Sequence, residues 1–344
     1  MNGIEDDIKN AFLKATTREM AAEVLGTTLK RVNYYLFKIP SDERYRIRMI
    51  AKKSGRYREI SEPVTGLKLI QKRLAEILSI IYEHHPCAHG FIPRKSIVSN
   101  ALPHVGRCVV VNLDLKNFFP SIHFGRVKGL FMSKPFCFNE EVAIFIAQIC
   151  CHDGHLPQGA PTSPVISNLI CRQLDDNLMC VATKERCIYT RYADDITFSF
   201  DHPYIPYNIG IIDEQKMFVP SAVVRNIIQE NGFEVNYCKV RWSIRAARQE
   251  VTGLIVNDKV NVKRRYVRRI RAILHAWEKY GLEAASKEHF SKYSLKTTSA
   301  TAVSFTHKVF GMISYVGMVV GKDNPVYLSL REKYDMLMNG SRDN

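Results

Sequence analysis

The spacing of apolar and polar residues predicts a chain that mixes helices with short strands. Residues 44–62 alternate apolar and basic positions around a Ser-Gly pair, which predicts a basic β-hairpin. Residues 67–85 repeat apolar side chains at helical spacing and predict an amphipathic helix packed on a core. The first forty residues predict a helical N-terminal extension, with a helix-turn-helix as the alternative, and Thr27 or Thr28 is expected to cap one of its helices.

Two strand-like segments carry aspartates at their ends. Residues 107–122, RCVVVNLDLKNFFPSI, contain the continuous apolar run of a strand buried on both faces, and Asp114 falls near its end. Residues 189–200, YTRYADDITFSF, predict two strands joined by a tight turn that holds Asp194 beside Asp195. If these strands are neighbours, three carboxylates meet at one site.

Composition and charge narrow the class of partner. Among 344 residues, 49 Lys and Arg against 34 Asp and Glu give a net charge of +15, which favours a polyanion. Nucleic acid is favoured over a membrane surface, because no segment combines a basic face with a wide apolar face and Trp anchors, and the apolar runs are too short to span a bilayer. The nine cysteines include no C-x-x-C pair and indicate reduced thiols, so a cytoplasmic protein is expected.

The clustered acids need a compensating charge. Each acid alone would fit a surface turn or a helix cap, but adjacent buried carboxylates repel each other. Mg²⁺ prefers carboxylate oxygens and offsets this repulsion, so the pattern predicts a site for two Mg²⁺ ions. Such a pair suits in-line phosphoryl transfer, in which one ion activates the attacking oxygen and the other clamps the triphosphate. A zinc site in CCHDGHLP, residues 150–157, is set aside because its spacing fits no common zinc site.

Five sequence blocks resemble one family. YADD at 192–195 resembles the YxDD signature of reverse transcriptases, LDLKNFFPSI at 113–122 is similar to the strand with their first catalytic aspartate, and LPQGAPTSP at 156–164 resembles their LPQGxxxSP block. NALPH at 100–104 and VTG at 251–253 match the NAxxH and VTG blocks of retron reverse transcriptases. The chain is therefore identified as a member of that family.

The resemblance implies an α/β (α+β) chain with a right-hand polymerase fold, in which the palm combines an antiparallel sheet with helices and the thumb is helical. The expected boundaries are an N-terminal extension at 1–40, fingers at 41–106 and 124–155, palm at 107–123 and 156–258, and thumb at 259–344.

The resemblance also implies roles for individual residues. Asp114 and Asp194 would be the principal metal ligands, with Asp195 supporting them. Phe119 would lie under the sugar and reject a 2′-OH, and Lys239 would protonate pyrophosphate, unless it is a solvated surface lysine. The residues expected to bind the nucleotide are Arg58, Lys53, Phe119, Gln158 and Lys239.

A further set of residues is expected to bind RNA or primer. Residues 259–277 predict a thumb helix with arginines opposite a core-facing stripe; they would contact phosphates, with a solvated face as the alternative. Asn100 and His104 are four apart and, if helical, share one face; they would contact RNA or satisfy buried backbone groups. The full set is Asn100, His104, Thr252, Gly253, Arg264, Arg265, Arg268 and Arg269.

The expected activity is RNA-directed DNA synthesis from dNTPs on a cognate non-coding RNA. The resemblance implies priming from a 2′-OH of that RNA, a branched RNA-DNA product, and a role in antiphage defence with an effector protein. The alternatives are a group II intron-like, diversity-generating or abortive-infection reverse transcriptase, or an RNA-binding scaffold without catalysis.

Overall fold

A computed structural model describes residues 2–51, 55, 57–293 and 302–340, and the chain divides into two compact units. The first unit comprises Met1–Ser96 and Cys108–Ser243, and the second comprises Ile97–Arg107 and Ile244–Asn344. The boundaries of fingers, palm and thumb stay a prediction. Within the described ranges, no helix has the length and apolar character needed to cross a bilayer.

The described residues form a mixed helical and stranded fold, as the sequence predicts. The helices are α1 (Asn2–Leu13), α2 (Arg18–Val24), α3 (Leu29–Asn33), α4 (Thr65–Ile81), α5 (Ile97–Ala101), α6 (Phe124–Met132), α7 (Glu140–Cys150), α8 (Ser163–Ile170), α9 (Arg172–Lys184), α10 (Ala222–Glu230), α11 (Arg264–Tyr293), α12 (Ala302–Val320) and α13 (Pro325–Gly340). The strands are β1 (Tyr45–Ala51), β2 (Tyr57–Pro63), β3 (Val109–Asp114), β4 (Ile188–Tyr192), β5 (Asp195–Phe200), β6 (Gly210–Ile212), β7 (Phe218–Pro220), β8 (Arg241–Ile244), β9 (Glu250–Val251) and β10 (Leu254–Ile255).

The N-terminal segment folds as helices, and the predicted cap is present. The Thr28 hydroxyl accepts from the backbone N–H of Arg31 at 3.3 Å and so starts α3. After it, β1 and β2 pair antiparallel as the predicted basic hairpin. On α4 the apolar stripe is buried, namely Leu67, Ile70, Leu74, Ile77, Leu78 and Ile81.

A four-stranded sheet carries the acidic segments, in the order β4-β5-β3-β8. β3 pairs antiparallel with β5, from Val109 opposite Phe200 to Asp114 opposite Asp195. Every residue of β3 is buried, as expected for a central strand. Helix α9 packs on β4, the strand that leads into the turn with Asp194.

The second unit combines a short hairpin with long helices. β9 and β10 pair around a two-residue turn at Thr252 and Gly253. Helix α11 contains a break at Gly281, whose φ of 81° is left-handed. Trp277 on α11 packs edge-on against Phe305 of α12, with the ring centroids 5.8 Å apart. Phe305, Val309 and Ile313 are fully buried on α12.

Candidate active site

The structure brings the three aspartates together at one end of the sheet. Asp114 ends β3 directly opposite Asp195, the first residue of β5. Asp194 lies in the turn between β4 and β5, where Ala193 has a φ of 54°. The backbone N–H of Leu115 donates to the Asp194 carbonyl at 3.0 Å, which joins the turn to the segment after β3. Strand pairing therefore produces the predicted cluster.

Both carboxylate oxygens of Asp114 accept hydrogen bonds. Asn236 Nδ2 donates to Oδ1 at 2.8 Å, and Lys239 Nζ donates to Oδ2 at 2.6 Å. The Asn236 backbone N–H also donates to the Asp114 carbonyl at 2.8 Å. Sequence reasoning found Lys239 but missed Asn236, although both lie in the segment GFEVNYCKV.

Asp194 and Asp195 are harder to ionise than ordinary aspartates. Burial, and then the charge of Asp114, raises the pKa of Asp194 above its usual range. Burial, and then the charges of Asp194 and Asp114, raises the pKa of Asp195 to about 6. The two carboxylates therefore repel negative charge around them and favour a bound cation.

A pocket of about 260 Å³ opens at this cluster, and its lining includes Asp114, Asp195 and Lys239. Carboxylate oxygens are the ligands that Mg²⁺ prefers. Burial and then the crowding of like charge raise the pKa values of Asp194 and Asp195, and a bound divalent ion would relieve both effects. The residues present thus fit divalent cations, which Asp114, Asp194 and Asp195 would hold.

Comparison with known proteins identifies the family. Residues 50–260 match the family described as "Reverse transcriptase (RNA-dependent DNA polymerase)". The chain is also 34% identical over 238 residues to the retron Ec86 reverse transcriptase of Escherichia coli, which covers 68% of this chain and 70% of that protein. The chain belongs to the retron reverse transcriptases. This agrees with the right-hand polymerase fold expected from the sequence.

Two further relatives come from Myxococcus xanthus. The chain is 36% identical over 277 residues to the retron Mx65 reverse transcriptase, covering 75% of this chain and 62% of that protein. It is 33% identical over 299 residues to the retron Mx162 reverse transcriptase, covering 77% of this chain and 60% of that protein. The chain thus spans about three-fifths of the length of these two relatives.

The described residues that are expected to bind the nucleotide all lie in the first unit. Arg58 is exposed on β2, and the Ser61 N–H of the same strand donates to the Gln158 carbonyl at 2.8 Å. Gly159 lets the backbone approach β2 closely, because a Cβ at this position would lie 3.0 Å from the Ser61 carbonyl oxygen. Lys53 lies outside the described residues.

The proposed sugar gate is half-buried. The Phe119 ring lies 6.1 Å from that of Phe91, whereas Phe118 is buried and stacks on Phe233 at 5.6 Å. Phe118 is therefore the core residue of the pair, and Phe119 is the one that is partly exposed.

The two blocks typical of retron reverse transcriptases meet in the second unit. The Thr252 hydroxyl donates to the Ile97 carbonyl at 3.0 Å, and Thr252 and Gly253 have φ of 46° and 81°. The condition under which Asn100 and His104 would share one α-helical face is not fulfilled, because α5 ends at Ala101 and a 3₁₀ turn continues to His104. Asn100 and His104 are both fully buried.

The arginines of α11 differ in exposure. Arg264, Arg265 and Arg268 are exposed, and within the described part of the chain none of the three pairs with an acid. Arg269 is half-buried, which differs from the predicted outward face. Near the start of the helix, a pocket of about 220 Å³ is lined by Gly253, Val262, Lys263, Tyr266 and Tyr315.

A second group has the residue types of a metal site. Ligand atoms of His85, Cys87 and Asp175 lie within 4.8 Å of one another. However, both Asp175 oxygens accept from the Arg191 guanidinium, at 2.7 and 2.6 Å, and burial raises the pKa of the Cys87 thiol, so it stays protonated. We assign this group to the buried network around Arg191, which sequence reasoning missed. The one available signal is an arginine inside an otherwise apolar strand, one residue before YADD.

Proposed function

We propose that this chain is an RNA-directed DNA polymerase that copies a cognate structured RNA with dNTPs. The observation that carries the proposal is the convergence of Asp114, Asp194 and Asp195 at the end of β3 and in the adjoining turn. Membership of the retron reverse transcriptases supports the same reaction.

Each residue near the cluster would have a defined task. Asp114 and Asp194 would hold two Mg²⁺ ions with help from Asp195, and these ions would activate the attacking hydroxyl and clamp the triphosphate. Arg58 would bind triphosphate oxygens, and Gln158 would contact the nucleotide. Lys239, which donates to Asp114 Oδ2 at 2.6 Å beside the site, would protonate the leaving pyrophosphate.

The test is Asp194→Asn, which removes an anionic ligand and hardly changes the basic surface. We expect primer extension with Mg²⁺ to be lost and RNA binding to be retained. The matched control is Asp176→Asn, which changes the exposed member of a second Asp-Asp doublet, on α9, and should leave extension intact. Full-rate synthesis by Asp194→Asn contradicts the assignment of the metal site, whereas a wild type that binds RNA but makes no DNA leaves the RNA-binding scaffold.

We further propose that synthesis starts from a 2′-OH of the same RNA and yields branched RNA-linked DNA. The support is the family membership and the contact between the NALPH and VTG blocks through Thr252 and the Ile97 carbonyl. Because Asn100 and His104 are buried, they would act by holding this turn, and exposed Gly253 would let the primer strand approach.

Thr252→Val tests this second proposal because it removes the hydroxyl that joins the two blocks. We expect it to impair RNA-primed synthesis more than extension of an annealed DNA primer. The wild-type product should stay joined to a short RNA remnant after ribonuclease and separate only with a debranching enzyme. Free DNA after ribonuclease alone, or equal impairment on both templates, contradicts it.

The second unit would bind the RNA. Exposed Arg264, Arg265 and Arg268 suit phosphates, and the Tyr266 and Tyr315 rings, 5.3 Å apart beside a pocket, suit a stacked base. Family membership also suggests antiphage defence with an effector protein. Purification from the native host, followed by sequencing of the bound nucleic acid and identification of co-purifying proteins, tests both partners.

A further inference from the structure

A buried ion pair lies directly behind the turn that carries Asp194. Arg191 on β4 and Asp175 on α9 are both 0% exposed. The guanidinium donates from Nε to Asp175 Oδ1 at 2.7 Å and from Nη2 to Oδ2 at 2.6 Å. Because desolvation largely offsets the attraction within a buried ion pair, stability alone does not account for this arrangement.

The same guanidinium reaches the backbone of the turn. Arg191 Nη1 donates to the Ala193 carbonyl at 3.2 Å, and Nη1 and Nη2 each lie 3.3 Å from Asn168 Oδ1. Asn168 Nδ2 in turn donates to the Gly90 carbonyl at 2.9 Å. Gly90 packs so closely on the turn that a Cβ there would lie 2.5 Å from the Ala193 nitrogen. One side chain therefore links the turn, α9 and the segment around Gly90.

The turn needs such support because of its backbone conformation. Ala193 has a φ of 54°, which is uncommon for a residue with a side chain and persists only where the surroundings impose it. On the other side, the Leu115 N–H holds the Asp194 carbonyl at 3.0 Å. The two peptide groups that flank the Cα atom of Asp194 are thus each held by a hydrogen bond.

We propose that Arg191 is a positioning residue for the metal site. Its planar guanidinium group is fixed by Asp175 and Asn168 and donates a hydrogen bond to the Ala193 carbonyl. This bond sets the position of the Asp194 carboxylate. This inference rests on the proposed function, because it assumes that Asp194 binds a divalent ion. Lysine cannot replace this guanidinium group, since a single ammonium lacks the fixed planar array of donors that bonds Asp175, Asn168 and the Ala193 carbonyl together.

The test is Arg191→Lys, which keeps the positive charge beside Asp175. Mn²⁺ binding to the purified full chain without nucleic acid, measured by electron paramagnetic resonance, should weaken about tenfold, as for other groups that orient metal ligands. Backbone hydrogen exchange in residues 188–200 should accelerate. The Mg²⁺ concentration for half-maximal primer extension should rise in the same proportion.

Tyr189→Phe is the matched control. It removes the 2.8 Å hydrogen bond from the Tyr189 hydroxyl to Asp175 Oδ1 but leaves every contact of the Arg191 guanidinium. Its Mn²⁺ affinity and turn exchange should equal those of the wild type. Wild-type Mn²⁺ affinity in Arg191→Lys, or the same loss in Tyr189→Phe, overturns the proposal.

A second variant keeps the test decisive if Arg191→Lys does not fold. Asn168→Ala removes one partner of the guanidinium and spares the ion pair, so it should show a smaller shift in the same direction; wild-type values would overturn the proposal. Asp194→Asn defines zero binding at the site. If the wild type binds no more Mn²⁺ than Asp194→Asn, the proposed polymerase site fails, and exchange at the turn then decides on Arg191 alone.

Discussion

The three aspartates share a functional group but lie in different surroundings. The Asp114 carboxylate accepts hydrogen bonds from Asn236 and Lys239. In contrast, burial and neighbouring acids raise the pKa values of Asp194 and Asp195. The doublet therefore holds most of the uncompensated charge that a metal ion would neutralise.

This charge should appear in the pH dependence of stability. The pKa of Asp195 is about 6 in the folded chain against 3.8 ordinarily, so the folded chain binds this proton more tightly than the unfolded chain does. The resulting stabilisation of the folded chain is complete below pH 3.8 and is lost as pH rises through about 6. In EDTA at pH 8, Asp195→Asn should be more stable than the wild type by about 1–2 kcal/mol, a value reduced for partial solvent access. Urea unfolding from pH 5 to 8 measures the difference, which should shrink toward pH 5; a difference independent of pH would contradict the expectation.

Phe119→Ala should relax sugar selection, because the ring proposed to collide with a 2′-OH is removed. The measurement is the ratio of ribonucleotide to deoxynucleotide incorporation, which should rise by about tenfold or more, as expected when roughly 1.4 kcal/mol of discrimination is lost. Phe118→Leu is the control, since Phe118 is buried against Phe233 and its change should lower thermal stability without altering the ratio. An unchanged ratio in Phe119→Ala would locate the gate elsewhere.

At the scale of elements, the β4–β5 hairpin is positioned by a backbone contact with the segment after α4. Gly90 is required there for close approach, because a Cβ would lie 2.5 Å from the Ala193 nitrogen. The hairpin turn and the Gly90 backbone therefore have to move together.

Gly90→Ala should displace the turn. We expect primer extension to fall at least about tenfold and the free energy of unfolding to drop by about 1–3 kcal/mol, as for other overpacked sites. Gly129→Ala on α6 is the matched control, because a Cβ there meets no atom within 4 Å and alanine favours a helix. Primer extension and urea unfolding of both variants measure the two effects; equal behaviour of the variants would show that the contact at Gly90 tolerates a methyl group.

Elements with strong periodicity could be predicted from the sequence, and so could the meeting of the acids. The stripe on α4 and the apolar run of β3 each report burial directly. The relative position of Asn100 and His104 could not be predicted, because nothing in the local pattern reveals the change from α to 3₁₀ geometry at Leu102. The Arg191 network was missed because its meaning depends on α9 packing against β4, a contact between residues 16 apart in sequence.

At the scale of the whole molecule, the charge of +15 is distributed over both units, but α11 holds its densest exposed cluster of arginines. Basic residues that contact phosphates release counterions, so their contribution is visible as salt dependence. This property separates RNA contact from a merely solvated face.

Replacing Arg264, Arg265 and Arg268 together with Gln should weaken RNA binding and lower the slope of log affinity against log salt by about 2, given roughly 0.7–0.9 per phosphate contact. Fluorescence anisotropy with structured RNA at several salt concentrations measures the slope. The control removes three exposed charges from the first unit, Arg172, Lys184 and Arg186. If the α11 variant keeps the wild-type slope, the arginines are a solvated face.

Cys238 lines the pocket that Asp114 and Lys239 also line, and it is an exposed cysteine with a free thiol. The chain therefore carries a natural attachment point for a fluorophore or spin label beside the clustered carboxylates. Cys137 and Cys180 are the other exposed cysteines, so changing these two to serine would direct a reagent to Cys238. The rate of labelling would then report occupancy of the pocket in real time, because a bound nucleotide and its metal ions would shield the thiol.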